Sequence, residues 1–495
     1  MKKYLLEIIV FICGAVLMVI ELVGSRILAP YLGTSIFIWT SLIGVILGSL
    51  SLGYWQGGRL ADKKPDWKHF SIIILLSAIA VGLTVAIKDG VLAEVQALKD
   101  LRLGSVIASI ILFAPTSFLL GMVSPYAARL KMQDVGHSGA TVGNLYAIST
   151  VGSIFGTFLT GFFLIAWLGS VRLLILMGII LALTSLLALP TDNRKTKLLV
   201  TFLLLINLLT TNYANAKIER LYGVIDMDTA YNRVIIAPGT DRATERPTLN
   251  LIMNPRETQS AMFTDKKDND LVFDYTKYYR LGEHFNPNFK TALMLGGGMY
   301  SFPKDFLTRY PSSTLDVVEI DPELTALAKK YFNLKDDPRL RVYHEDGRMV
   351  LNKTNKKYDL VYGDAFRSFY AVPYHLTTKE AASKIYNALN DKGVLLMNII
   401  STITGDRGKF LRAELATYQS IFPQVYLLPV HSDNPTDIQN IMLVAIKSDQ
   451  LPIWTNADKN LNKYLGHLWT KPVATDVPIL TDDYAPVDQY IMKLI

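Results

Sequence analysis

Apolar residues are distributed very unevenly along this chain, and that unevenness constrains the fold more than any motif does. From Leu5 to about Leu209 the sequence is a succession of long apolar stretches, whereas beyond Lys217 short strand-like and helix-like runs alternate at ordinary charge density. Runs of ~20 apolar residues match the thickness of a bilayer and exceed what a soluble core of this size can absorb. The chain of 495 residues therefore divides into a membrane half and a soluble half, enough for two or three domains. Half of its residues are hydrophobic, which excludes disorder. The formal net charge of +7 is scattered through loops rather than massed on one face. Such scatter suits the flanks of membrane spans and speaks against a nucleic-acid groove. The single cysteine, Cys13, lies within an apolar run, which excludes an intrachain disulfide, a CxxC redox pair and a cysteine-rich zinc site.

Six spans are expected near 5–28, 35–57, 70–90, 104–126, 140–166 and 170–190. Lys2 and Lys3 ahead of the first run give it the look of a signal peptide, but further spans rather than a polar mature protein follow it. Leu198 to Leu209 is a seventh candidate; it is short, broken by Asn207, and reads equally as an interfacial helix. With the N-terminus inside, eleven lysines and arginines fall in inner segments and five in outer ones, so the charge bias favours that orientation. Six spans then leave the soluble half cytoplasmic and seven put it outside. Gly44/Gly48, Gly53/Gly57 and Gly152/Gly156 are spaced for close helix packing. Glu21 and Arg26, little more than one helical turn apart, are expected to approach each other or to bond to neighbouring helices near the outer interface. The segment from Gly53 to Asp62 is similar to the loop between the second and third spans of major-facilitator transporters.

After a link at Ala214–Arg220, strands are expected at Arg233–Ala237, Leu249–Met253 and Ser260–Phe263, forming a small antiparallel sheet. A strand–helix alternation follows from Thr291, with strands at 291–295, 314–320, 339–343, 358–362, 393–399, 424–428 and 441–445 and helices at 302–310, 322–332, 378–389 and 409–421. That alternation implies a parallel doubly wound sheet, whose ligands bind beyond the carboxyl ends of the strands. Three motifs fall at those ends. Gly296-Gly297-Gly298 follows the first strand; glycines there let the backbone approach a ligand, although the spacing is not that of a dinucleotide cradle. Glu319, ending the second strand, can bind the two hydroxyls of a ribose, while Asp321 before Pro322 can cap the next helix. Asp346-Gly347, after the third strand, can meet an adenine amino group or cap a loop. The fourth strand ends at Asp364, which either caps a helix or accepts a proton from an amine. Together the motifs suggest a pocket for an adenosine moiety.

The ensemble of Gly296–Gly298, Val318–Pro322, Asp337–Leu340, Asp346–Arg348, Tyr358–Phe366, Pro373–Thr377 and Leu480–Pro486 resembles the spermidine/spermine synthase (polyamine aminopropyltransferase) family over about residues 222–495. The whole chain is similar to its membrane-fused branch, through Glu21–Arg26 and Gly143–Tyr146. The resemblance implies a multispan α-helical domain at 1–213, a small N-terminal β-domain at 222–285, and an α/β S-adenosylmethionine methyltransferase-like (Rossmann-like) domain at 286–495. It implies that Gln259, Gly296, Gly297, Gly298, Glu319, Asp346 and Gly347 hold decarboxylated S-adenosylmethionine, or S-adenosylmethionine itself. Tyr231, Tyr275 and Asp364 would contact an amine such as putrescine, with Asp364 as general base and no metal. It also implies a homodimer in the cell membrane. Two positions depart from the family pattern: Met299 stands where soluble members carry an aspartate for the aminopropyl ammonium, and Tyr275-Thr276-Lys277 replaces Tyr-His-Glu. Amine methyl transfer, or polyamine transport or sensing without turnover, are the alternatives.

Overall fold

The computed structural model describes residues 4–98, 100–132, 138–189, 223–254, 257–265, 270–365 and 372–494. The chain forms two compact units, Met1–Arg233 and Val234–Ile495.

The first unit is built on α1 (Leu5–Leu32), α2 (Ile36–Lys63), α3 (Trp67–Gln96), α4 (Leu101–Lys131), α5 (Ser138–Leu159) with its π-turn extension (Thr160–Leu164), and α6 (Ser170–Ala188). All six are long and apolar enough to cross a membrane, at the six places expected, and the first four are longer than the apolar runs alone suggest. The seventh candidate, Leu198–Leu209, and the link at Ala214–Arg220 lie outside the described residues. The helices alternate in direction. Glu7 at the start of α1 pairs with Lys131 at the end of α4, and Ser71 early in α3 bonds to Ser185 late in α6 at 3.0 Å. At the opposite end Ser41, early in α2, meets Ser105, early in α4, at 2.7 Å.

Two helix pairs pack backbone to backbone. A β-carbon on Gly152 would sit 2.1 Å from the Phe11 carbonyl oxygen, and one on Gly53 would sit 2.2 Å from that of Phe118. Only glycine permits these approaches of α5 to α1 and of α2 to α4. Gly44 and Gly48 do not behave this way, since a β-carbon on either meets nothing within 4 Å. The buried residues of α2 are Ile38, Leu42, Ile46, Ser49, Leu50, Gly53, Gly57 and Ala61. Gly44 stands two positions from Leu42, about 200° around the helix, and so lies on the other face. Glu21 and Arg26 also part from expectation. The Arg26 guanidinium donates to the carbonyls of Ala230 at 2.6 Å and Thr229 at 2.7 Å, more than two hundred residues along the chain. These carbonyls belong to the turn after β1 (Ile225–Asp228), which completes the first unit.

In the second unit β2 (Arg233–Thr240), β3 (Pro247–Asn254) and β4 (Glu257–Phe263) pair antiparallel in sequence. A short helix α7 (Asp274–Tyr278) leads into β5 (Thr291–Leu295), α8 (Ser301–Arg309), β6 (Thr314–Val318), α9 (Pro322–Tyr331), β7 (Leu340–Tyr343), α10 (Gly347–Lys353) and β8 (Tyr358–Gly363). Then come α11 (Lys379–Ala388), β9 (Leu389–Ser401), α12 (Lys409–Gln419), β10 (Gln424–Pro429) and β11 (Gln439–Ile446). The seven-stranded sheet has the order β10-β11-β9-β8-β5-β6-β7. Strands β5 to β9 run parallel, while β11 is antiparallel to both of its neighbours, so the sheet is not wholly parallel as the alternation implied. No helix of the four-turn class separates β10 from β11, and a direct return reverses the strand. Successive strands leave β5 in opposite directions, β6 on one side and β8 on the other. A crevice forms at such a reversal, beyond the carboxyl ends of the strands.

The core under that crevice is apolar and closed; Leu293, Val361, Leu395, Ile399 and Leu443 are fully buried. The Leu480–Pro486 segment acts as a strap. Asp482 accepts from Arg348 at 2.6 Å and from Thr378 at 2.6 Å, so it ties the start of α10 to the start of α11.

Candidate functional site

The loop after β5 shapes the crevice. Gly296 has φ +93°, and a β-carbon there would lie 2.4 Å from the carbonyl oxygen of Asp364. Any side chain would meet both backbone strain and a clash, so glycine is required. The amide of Asp364 in turn donates to Leu295 O at 2.8 Å, which stitches the end of β8 to the end of β5. A β-carbon on Gly298 would meet nothing within 4 Å, so this part of the loop faces open space that a ligand can approach at main-chain distance. Met299, next along, is completely buried and presents no polar atom.

Glu319 stands at the end of β6, 7% exposed. Its Oε2 accepts from the amides of Gly297 at 2.9 Å and Gly298 at 3.2 Å, and its Oε1 accepts from the Asp321 amide at 3.0 Å. The second motif is thus joined to the first: the carboxylate holds the glycine loop in shape and keeps lone-pair capacity on Oε1 for a hydroxyl. Asp321 caps α9, accepting from the Glu323 amide at 3.1 Å. Asp346 caps α10 through Oδ1, while its Oδ2 lies 3.0 Å from His375 Nε2. Gly347 is the first residue of α10. Both carboxylate oxygens of Asp346 are engaged, so an adenine amino group would share Oδ2 with His375.

Asp364 is the chemically distinctive group. Burial pushes its carboxyl up to about 6, and the polar side chains of Tyr275, Asn398 and Tyr279 beside it hold it from rising further. The Tyr275 hydroxyl donates to Asp364 Oδ2 at 3.3 Å. Burial, together with the Asp364 charge, keeps that phenol well above its ordinary value and therefore protonated as a donor. Tyr275 is held between Phe273, stacked at 6.1 Å, and Tyr279, edge-on at 6.2 Å. Tyr279 itself donates to Gly363 O at 2.9 Å. A carboxylate that titrates near 6 is ionised at neutral pH, yet is a stronger base than an ordinary aspartate.

The remaining residues singled out in the sequence fall as follows. Gln259 is half-buried on β4. That strand reaches the start of α8, because Ser301 Oγ donates to Ala261 O at 3.1 Å. Lys277 is paired with Asp274 at 2.9 Å, which offsets its charge beside Tyr275. Tyr231 is 42% exposed and belongs to the first unit, apart from the unit that carries Asp364. Sequence reasoning missed Asn398, Tyr279 and His375. Asn398 leaves a trace, as the one polar side chain in the run Val394–Ile400, and its Oδ1 accepts from Asn440 at 3.0 Å. His375 lies within the Pro373–Thr377 segment that carries the resemblance, and Tyr279 carries no such signal. Among the described residues no group of three or more His, Cys, Asp or Glu side chains is arranged to hold a metal ion.

Residues 278–452 match the family model described as the spermine/spermidine synthase domain. A polyamine aminopropyltransferase from Vibrio vulnificus (strain CMCP6) is 31% identical over 195 residues, 39% of this chain and 63% of that protein. Polyamine aminopropyltransferase 1 from Streptomyces coelicolor is 22% identical over 393 residues, covering 72% of this chain and 68% of its own length, so that similarity extends into the helical unit. A crystal structure of a probable spermidine synthase from Corynebacterium glutamicum aligns with TM-score 0.40 and 21% identity over 48% of this chain and 85% of that one. The chain spans between about half and just under two thirds of the first curated relatives it matches. Behind six apolar helices among the described residues, residues 278–452 of this chain match the spermine/spermidine synthase domain.

Proposed function

We propose that the chain is an aminopropyltransferase anchored in the cell membrane, which transfers an aminopropyl group from decarboxylated S-adenosylmethionine to a small amine such as putrescine. The observation that carries this reading is the Asp364 carboxylate, raised to about 6, on a residue whose backbone amide donates to Leu295 O and whose backbone carbonyl packs against Gly296 of the glycine loop. The names of the relatives support the same class of reaction. When bound, the sulfonium supplies an activated carbon whose leaving group is a neutral thioether. Open main chain at Gly298 and the Oε1 of Glu319 fit the nucleoside; Gln259 and Asp346 are the further contacts we assign to it. Asp364 Oδ2 takes the proton as the amine nitrogen bonds to that carbon and the carbon–sulfur bond breaks. The protein's remaining task is to hold nitrogen, carbon and sulfur in line. Tyr275, donating to Oδ2, orients the carboxylate and lines the amine side.

Methyl transfer from intact S-adenosylmethionine is the second reading, and Met299 favours it: fully buried and neutral, it offers the aminopropyl ammonium no counter-charge. The test is incubation of the full-length protein in detergent with putrescine and either sulfonium, followed by mass detection. Spermidine with methylthioadenosine supports the first reading, methylated amine supports the second, and neither product with both nucleosides bound refutes catalysis.

A further inference from the structure

The described ends of the chain on either side of residues 190–222 lie at opposite ends of the helical bundle. The end of α6 sits beside the start of α3, through the Ser71–Ser185 bonds, on the same side as the N-terminus. The segment 226–233 sits at the other end, held by contacts to three helices of the first unit. Arg26, near the end of α1, donates to the carbonyls of Thr229 and Ala230 at 2.7 and 2.6 Å. Asp228 Oδ2 accepts from the Ser170 amide, the first residue of α6, at 2.6 Å. The preceding residue, Gly169, has φ +72°, and a β-carbon there would lie 2.9 Å from the same oxygen. Arg233 is bidentate to Asp226 and lies 3.6 Å from Asp89, near the end of α3. Asp89 also accepts from Tyr31 at 3.0 Å and from Lys88 at 2.7 Å.

The ends of α1 and α3 and the start of α6 share one side of an alternating bundle, opposite the N-terminus. Arg26 is about 30 Å of helical rise from Leu5, roughly the full hydrocarbon thickness. A cluster of two arginines, a lysine and three aspartates is tolerable at that boundary and costly at mid-depth.

From this placement we infer that Ile225–Arg233 lie on the side of the bilayer opposite the N-terminus and the end of α6, and that the chain enters its second unit from that side. With the N-terminus inside, as the charge bias favours, the unit from Val234 onward is extracytoplasmic. Its crevice then draws substrates from that compartment, whatever reaction it performs; the inference does not depend on the reading of the site.

The test uses the full-length protein in intact cells, in a Cys13→Ala background that removes the one native thiol. Single cysteines are placed at exposed positions: Lys68→Cys in the first turn of α3, Ala97→Cys between α3 and α4, and Lys335→Cys in the second unit. Each is challenged with a membrane-impermeant maleimide before and after permeabilisation. The expected result is that Lys335→Cys labels as Ala97→Cys does and oppositely to Lys68→Cys. Labelling of Lys335→Cys in step with Lys68→Cys overturns the inference. Protease accessibility of a C-terminal epitope on the otherwise unaltered chain gives the same decision if a cysteine variant fails to insert: cleavage only on the Ala97 side supports it, and cleavage only on the Lys68 side refutes it.

Discussion

Replacing Asp364 with asparagine separates two consequences of one buried carboxylate. The folded group titrates near 6, against an ordinary value of 3.8. The folded state therefore holds this proton more tightly than the unfolded state does. The penalty is absent below about pH 4, grows between pH 4 and 6, and is complete above pH 6. Two pH units correspond to about 3 kcal/mol as a ceiling. Because the side chain is half-buried rather than sealed, a penalty of about 1–2 kcal/mol is the reasonable expectation. Asp364→Asn keeps the shape and an acceptor for Tyr275 while removing the charge, so the variant should melt higher than the parent at pH 8 and level with it at pH 4. Turnover should behave oppositely. Loss of a general base costs roughly 10²–10⁴-fold in rate, and kcat/KM of the parent should rise with pH through a half-point near 6. Melting of the detergent-solubilised protein and product release, both followed from pH 4 to 8, measure the pair. A variant that melts lower at pH 8, or that turns over at the parental rate, would refute the reasoning.

Other perturbations test neighbouring parts of the structure. Tyr275→Phe keeps the ring contacts but removes a donor to the ionised carboxylate; the pH–rate half-point should move upward from 6 by about 0.4–1 unit, read from the pH profile. Gly296→Ala places a β-carbon 2.4 Å from the Asp364 carbonyl at a positive φ, and should abolish nucleoside binding measured by calorimetry, with a stability loss of about 2 kcal/mol or more. In the helical unit, Gly152→Val should sharply lower the yield of folded protein, whereas Gly44→Val, facing open space, should leave yield and melting unchanged.

Much of this architecture was legible in the sequence because its signals are local. A run of ~20 apolar residues reports a span without help from the rest of the chain, and the strand–helix alternation after Thr291 reports the sheet. The glycine loop, Glu319, Asp346 and Asp364 could be placed at strand ends because strand ends are readable. What failed was pairing at long range. Arg26 looked like a partner for Glu21, five positions away, but its carbonyl partners at Thr229 and Ala230 had no signal of their own. The reversal of β11 was hidden because an apolar strand reads alike in either direction. Helix α10 was missed because seven residues show too little periodicity, although Asp346 ahead of Gly347 is an ordinary start signal. Asn398 reaches the Asp364 carboxylate only because β9 pairs beside β8.

The hydrogen bonds from Gly297 and Gly298 to Glu319 change how an experiment on that residue must be interpreted. One side chain both shapes the loop and faces the sugar, so a mutant that no longer binds nucleoside would not distinguish a lost recognition element from a collapsed scaffold. Removing the hydroxyls from the ligand instead, with deoxyribose analogues offered to the unaltered protein, leaves the loop intact and isolates what the carboxylate reads.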